Sequence, residues 1–248
     1  MPGGDVLVVF LAALGTALAT GLGALPLLAA RTHGTRWLGL ANAVASGVML
    51  GASLSLLIEG GDRSFARTAE GALAGVLFVW AVRRSLGSGG EPHVGALSGA
   101  DARKAVLIVA VMTAHSLAEG VGVGASFGGG NTLGAVIAIA IAIHNIPEGL
   151  AISLVLVPRG VRVRTAAWWS IFLSLPQPLL AVPAYLFVEA FTSILPAALG
   201  FAAGAMAWMV ATELLPEATQ RLPRLRVLET TGIAFAAMFV FQTVLIHY

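Results

Sequence analysis

The chain of 248 residues is 58% hydrophobic and 10% charged, with a mean hydropathy of +0.91. A water-soluble domain carries about 25% charged residues, so this composition excludes an ordinary soluble fold and makes a lipid bilayer the expected solvent. A formal net charge of +2, with the arginines in short scattered clusters, offers no nucleic-acid surface, and the lack of cysteine excludes disulfides, thiolate metal sites and a thiol nucleophile.

The N-terminal residues Met1-Pro2-Gly3-Gly4-Asp5 lack the basic stretch of a cleavable signal, so the first apolar run is expected to remain as a membrane span. A spanning helix needs about 20 mostly apolar residues. The runs that qualify are 6–30, 37–58, 68–82, 105–124, 133–156, 165–187, 191–215 and 228–245, of which the third is the shortest. The expected fold is therefore an all-α integral membrane protein with eight transmembrane helices, forming a single domain over residues 1–248. Residues 85–101, rich in glycine and serine with a lone histidine (His93), read as a flexible loop.

Orientation follows from the basic residues, which favour cytoplasmic loops. Twelve of the fourteen lie after the first, third, fifth and seventh spans; only Arg63 and Arg67 fall on the opposite side. Both termini are then extracytoplasmic and the 85–101 loop is cytoplasmic.

Two stretches break the hydrocarbon pattern. The fourth span carries His115-Ser116-Leu117-Ala118-Glu119-Gly120 and the fifth carries His144-Asn145-Ile146-Pro147-Glu148-Gly149. Ionisable groups at such depth are expensive and point to function. An i, i+4 spacing puts each His/Glu pair on one helix face. His115 lies 11 residues beyond Lys104, and His144 lies 11 beyond Leu133. At 1.5 Å per residue both are roughly 16 Å deep in a ~30 Å core. Antiparallel neighbours thus bring two imidazoles and two carboxylates to one level, between the fourth and fifth spans. These are donors that a divalent cation such as zinc accepts, and a cation offsets the cost of burying the carboxylates. Pro147 leaves the Ile143 carbonyl without its helical donor, and Ser174-Leu175-Pro176-Gln177-Pro178 repeats the device in the sixth span. Glu213 and Glu217 sit at the cytoplasmic end of the seventh.

The sequence His144-Asn145-Ile146-Pro147-Glu148-Gly149 resembles the HNxPEG signature of the ZIP (ZRT/IRT-like protein) metal transporters, most like bacterial GufA-type members. The likeness extends over nearly the whole chain. It implies a multi-pass protein of the cell membrane, a bacterial inner membrane, importing Zn²⁺ and in some members Cd²⁺, Fe²⁺ or Mn²⁺, with no organic cofactor. Its partners are then the divalent ion and the lipid bilayer, and a homodimer is left open. The implied transport site is His115, Glu119, His144 and Glu148, with Met49, in Gly47-Val48-Met49-Leu50, as an additional ligand. A second metal site sharing both glutamates would use Ser116, Asn145 and Gln177, and Glu213 would serve the exit. Close bacterial relatives often carry Asn, Asp and Glu at the three second-site positions; here all three are neutral, which argues against a tightly held second ion. Thr212 stands where a histidine often precedes the glutamate matching Glu213.

Two other classes compete with a permease. An intramembrane zinc hydrolase needs an open coordination position and a general base, and the sequence offers neither His-Glu-x-x-His nor a third mid-depth histidine. A metal sensor would bind without flux. No Walker A motif is present for ATP hydrolysis.

Overall fold

The computed structural model describes residues 2–30, 35–88, 93–94, 97–128, 130–157 and 160–247. It is helical almost throughout. In chain order the helices are α1 (Pro2–Leu22), α2 (Pro26–Ala30), α3 (Thr35–Ser88), α4 (Gly99–Gly128), α5 (Asn131–Leu156), α6 (Val163–Ser174), α7 (Pro176–Leu186), α8 (Val188–Met209), α9 (Leu215–Arg221) and α10 (Arg224–His247). A single π-helical turn, Val210–Leu214, joins α8 to α9. Within the expected 85–101 loop, residues 85–88 end α3, His93–Val94 pairs antiparallel with Leu97–Ser98, and α4 has already begun at Gly99. Six segments of the described residues are long and apolar enough to cross a bilayer: 6–28, 36–85, 131–154, 163–186, 191–221 and 224–244.

The second of these reflects how the expected second and third spans are joined. Their hydrogen-bonded helix continues through the turn region, and α3 is interrupted only at Ser64, whose φ of −165° and ψ of 100° are extended rather than helical. That one residue folds α3 back on itself. On its first arm Gly39 abuts Arg221 and Gly60 abuts the Pro196 carbonyl, so this arm runs antiparallel to α8 and α9. On its second arm Gly71 meets Ala197, Gly75 meets Phe201, and Arg83 pairs with Glu213 at 3.0 Å, so this arm runs parallel to α8.

The second arm and α8 approach backbone to backbone. A Cβ built on Gly71 or Gly75 would lie 2.0 or 2.1 Å from the carbonyl oxygens of Ala197 and Phe201. Reciprocally, one on Gly200 or Gly204 would lie 2.1 Å from those of Thr68 and Ala72. Two glycines spaced by four on each helix thus mesh, and close packing is what drives helix association where lipid is as apolar as the side chains.

Proline shapes two further elements. The sixth span is broken at Leu175, where Pro176 and Pro178 open α7, whereas Pro147 is carried inside a continuous α5. The main core cluster lies between α3, α4, α5, α6 and α8. It contains Met49, Met112, Met206 and Met209, all fully buried, with Ile152 and Leu214.

Gly204→Leu is expected to destabilise the protein in detergent by about 1–3 kcal/mol, the usual cost of overpacking. Gly15→Ala, where an added Cβ meets nothing within 4 Å, should leave the melting temperature unchanged. Thermal unfolding of the two purified variants checks both.

Candidate metal centre

α4 and α5 are antiparallel neighbours: Phe127 covers Gly134 near their linked ends, and the His115 and His144 rings meet further along, with centroids 5.6 Å apart. The i, i+4 spacing then delivers Glu119 and Glu148 to the same place. One donor atom from each of His115, Glu119, His144 and Glu148 lies within 4.8 Å of all the others. A tetrahedral cation with ~2.1 Å bonds holds its ligands about 3.4 Å apart, so a small contraction by side-chain rotation suffices to ligate one.

The glycine ending each motif has a steric reason. A Cβ on Gly149 would stand 1.7 Å from the Thr20 carbonyl oxygen of α1, and one on Gly120 would stand 2.5 Å from the Gln177 carbonyl oxygen of α7. Each His/Glu helix is therefore notched one residue after its glutamate, and a neighbouring backbone fills the notch. The two neighbours close the site from either flank.

All four donors are buried, Glu148 and His115 completely. Among the described residues, neither Glu148 oxygen and neither nitrogen of either imidazole makes a hydrogen bond. His115 Nε2 is 3.2 Å and His144 Nε2 3.7 Å from one oxygen of Glu119, Oε1, so both rings converge on that atom. Leaving such groups unpaired in a dry interior costs several kcal/mol. A divalent cation among two imidazoles and two carboxylates removes that cost, and the chemistry of the donor set fits it.

The remaining residues singled out from sequence fall into three places. Gln177, Asn145 and Ser116 are fully buried around the site. Gln177 donates from Nε2 to Glu119 Oε2 and accepts at Oε1 from Asn145 Nδ2 (3.1 Å) and from the Thr16 hydroxyl. Asn145 also donates to the Thr16 carbonyl at 2.9 Å. Met49 lies in the methionine-rich core cluster. Glu213 stands apart from the four donors, on the π turn, paired with Arg83.

Several polar residues at the site carry no weight in a motif search. Thr16 and Thr20 form an i, i+4 pair on α1, both buried, and Thr20 donates to Ser174 Oγ at 2.9 Å. Two threonines on one face of an otherwise apolar run were the available signal. A cavity lined by Glu119 and His144 continues past Ser126 and Ser55 to Glu59 and Gln242. It therefore leads from the four donors toward the end of the bundle where α3 bends and α4 joins α5. Toward the opposite end, the methionine cluster and Leu214 fill the interior.

Comparison with known proteins agrees with this geometry. A family model described as ZIP zinc transporter matches residues 86–241. A candidate zinc transporter of Arabidopsis thaliana is 46% identical over 242 residues, 96% of this chain and 39% of its own length. The zinc transporter GufA of Myxococcus xanthus is 32% identical over 80% of this chain and 84% of its own. Zinc transporter ZIP11 of Xenopus tropicalis is 35% identical over 48% of this chain and 38% of its own. This chain thus spans about two fifths of the plant relative. With both His/Glu motifs inside the matched region and brought together by the fold, the chain belongs to the ZIP zinc transporter family.

Proposed function

We propose that the protein carries divalent metal ions, zinc first among them, across a membrane through a site formed by His115, Glu119, His144 and Glu148. The observation that carries this reading is the convergence of those four buried donors from two antiparallel helices, with Glu148 and both imidazoles making no hydrogen bond among the described residues. Zinc accepts nitrogen and carboxylate oxygen together, and two histidines with two carboxylates hold an ion without a dedicated general base beside an open position. The donor set thus favours carriage over hydrolysis. Binding near mid-depth between helices that can rock is the usual arrangement of secondary transporters.

The proposed topology has eight crossings: the six apolar segments, with the two arms of α3 counted separately, and α4. The distribution of basic residues among the loops supports an orientation with the α3 bend outside and the Arg83–Glu213 pair inside. In that frame the cavity containing Glu119 and His144 opens outward, and the methionine cluster seals the cytoplasmic side. Transport inward then requires the outer cavity to close and the cluster to part, releasing the ion toward Glu213 and Glu217. Methionine suits a seal that must repack, being unbranched and polarizable.

His144→Ala and Glu148→Ala are each expected to lower ⁶⁵Zn²⁺ uptake into proteoliposomes more than about tenfold, a loss of ~1.4 kcal/mol or more in binding. Their elution and melting should stay close to the parent's, because neither substitution alters a packing glycine or a member of the main core cluster. Normal uptake by both would end the site assignment.

The chain has no cysteine of its own, which allows a direct test of sidedness. Ser126→Cys should react with an impermeant thiol reagent added outside and be shielded by zinc. Thr212→Cys should react only from the cytoplasmic face. The reverse pattern would invert the proposed orientation.

A further inference from the structure

Gln177 hydrogen-bonds a member of the donor set directly, and its two ends do different things. Its amide nitrogen donates to Glu119 Oε2, while its carbonyl oxygen is taken by Asn145 Nδ2 and the Thr16 hydroxyl. The orientation of the amide is dictated by Asn145. Asn145 Nδ2 also bonds the Thr16 main-chain carbonyl, which can only accept, so the nitrogen of Asn145 must face Gln177 and an oxygen must meet it. With Oε1 so engaged, Gln177 presents a donor, not a ligand, to Glu119. The contact is fixed at the backbone level too, since Gly120 lets the main chain of Gln177 seat against α4.

The consequence for Glu119 is a division of labour between its oxygens. Oε2 is committed to Gln177, and Oε1 faces both imidazoles at 3.2 and 3.7 Å. We infer that Gln177 is a positioning residue that holds Glu119 to one coordinating oxygen, and thereby restricts the site to a single ion content with few ligands. This rests on the four-donor site proposed above and adds its stoichiometry and selectivity. With Glu119 monodentate, the donors reach four or five. Zinc is satisfied with four, whereas Mn²⁺ favours six, largely oxygen. A second ion would have to take Glu119 Oε2 from a buried amide and rely on the neutral Ser116 and Asn145.

Two variants separate this role from general packing. Gln177→Glu keeps the acceptor for Thr16 and Asn145 but removes the donor, leaving two carboxylates face to face. Gln177→Leu removes the donor and the acceptor and frees Glu119 to chelate. Zinc bound per chain is counted in nanodiscs by elemental analysis, and ⁶⁵Zn²⁺ uptake is measured in competition with Mn²⁺. The parent should bind one ion and Gln177→Glu two. Gln177→Leu should keep one, with the zinc KM raised about tenfold, as outer-shell losses commonly do, and Mn²⁺ competing about tenfold better. Two zinc ions in the parent, one in Gln177→Glu, or unaltered KM and selectivity in Gln177→Leu would overturn the inference. His144→Ala serves as the separate control on the site itself. If it bound zinc as the parent does, the four-donor reading would fail, and this role for Gln177 with it.

Discussion

A carboxylate and two imidazoles buried without hydrogen-bond partners are the constraint around which this bundle is arranged. In a medium of low dielectric the charged form of an isolated carboxylate is strongly disfavoured, and Glu148 has neither oxygen satisfied among the described residues. A fold that retains such a group in its ionised form must supply an opposite charge at the same point. His115, Glu119, His144 and Glu148 can share one cation because two helices of opposite sense present them at one level. The glycines after each glutamate matter for the same reason: they admit the backbones of α1 and α7, which close the site from either flank.

The surroundings of the donors are asymmetric. On one side Glu119 and His144 line a cavity that continues to Ser126 and Glu59; on the other, thioethers and aliphatic side chains from α3, α4, α5 and α8 pack closely. A carrier needs this inequality, since an ion in contact with both solutions at once would leak. The two arms of α3 take part in both halves. The first contributes Ser55 and Glu59 to the cavity and Met49 to the packed side, while the second is meshed with α8 through paired glycines and tied to the π turn by Arg83 and Glu213. A π turn wastes one backbone bond of an α-helix and commonly marks a functional position. Here it lies where the proposed inward path would reach the cytoplasm.

The polar contacts behind the donors set how the site is tuned. Thr16, Asn145 and Gln177 link α1, α5 and α7 into one hydrogen-bonded chain ending on Glu119. Each group in that chain is neutral, so its effect on the ion is geometric: it decides which carboxylate oxygen is available. Neutral amides at these positions also spare the interior the repulsion that further carboxylates would bring without a second cation.

The residues that form the donor set were legible in the sequence because their arrangement is local. Four-residue spacing on a helix places two side chains on one face whatever the rest of the chain does, and counting residues from the span ends put both pairs at one expected level. Proline marked irregular backbone in the fifth and sixth spans for a similarly local reason, but only the structure showed that the sixth breaks at Leu175 while α5 runs on through Pro147. The chain reversal between the second and third expected spans, somewhere in 59–67, was legible. The tertiary structure alone decided that it falls on the single residue Ser64 of an otherwise continuous helix, held by glycine contacts with a helix more than a hundred residues away. It alone decided the part played by Gln177, whose partners Thr16 and Glu119 lie 161 and 58 residues distant. Spacing dictates what a single helix presents; which oxygen of a carboxylate stays free depends on packing between helices, which no local pattern encodes.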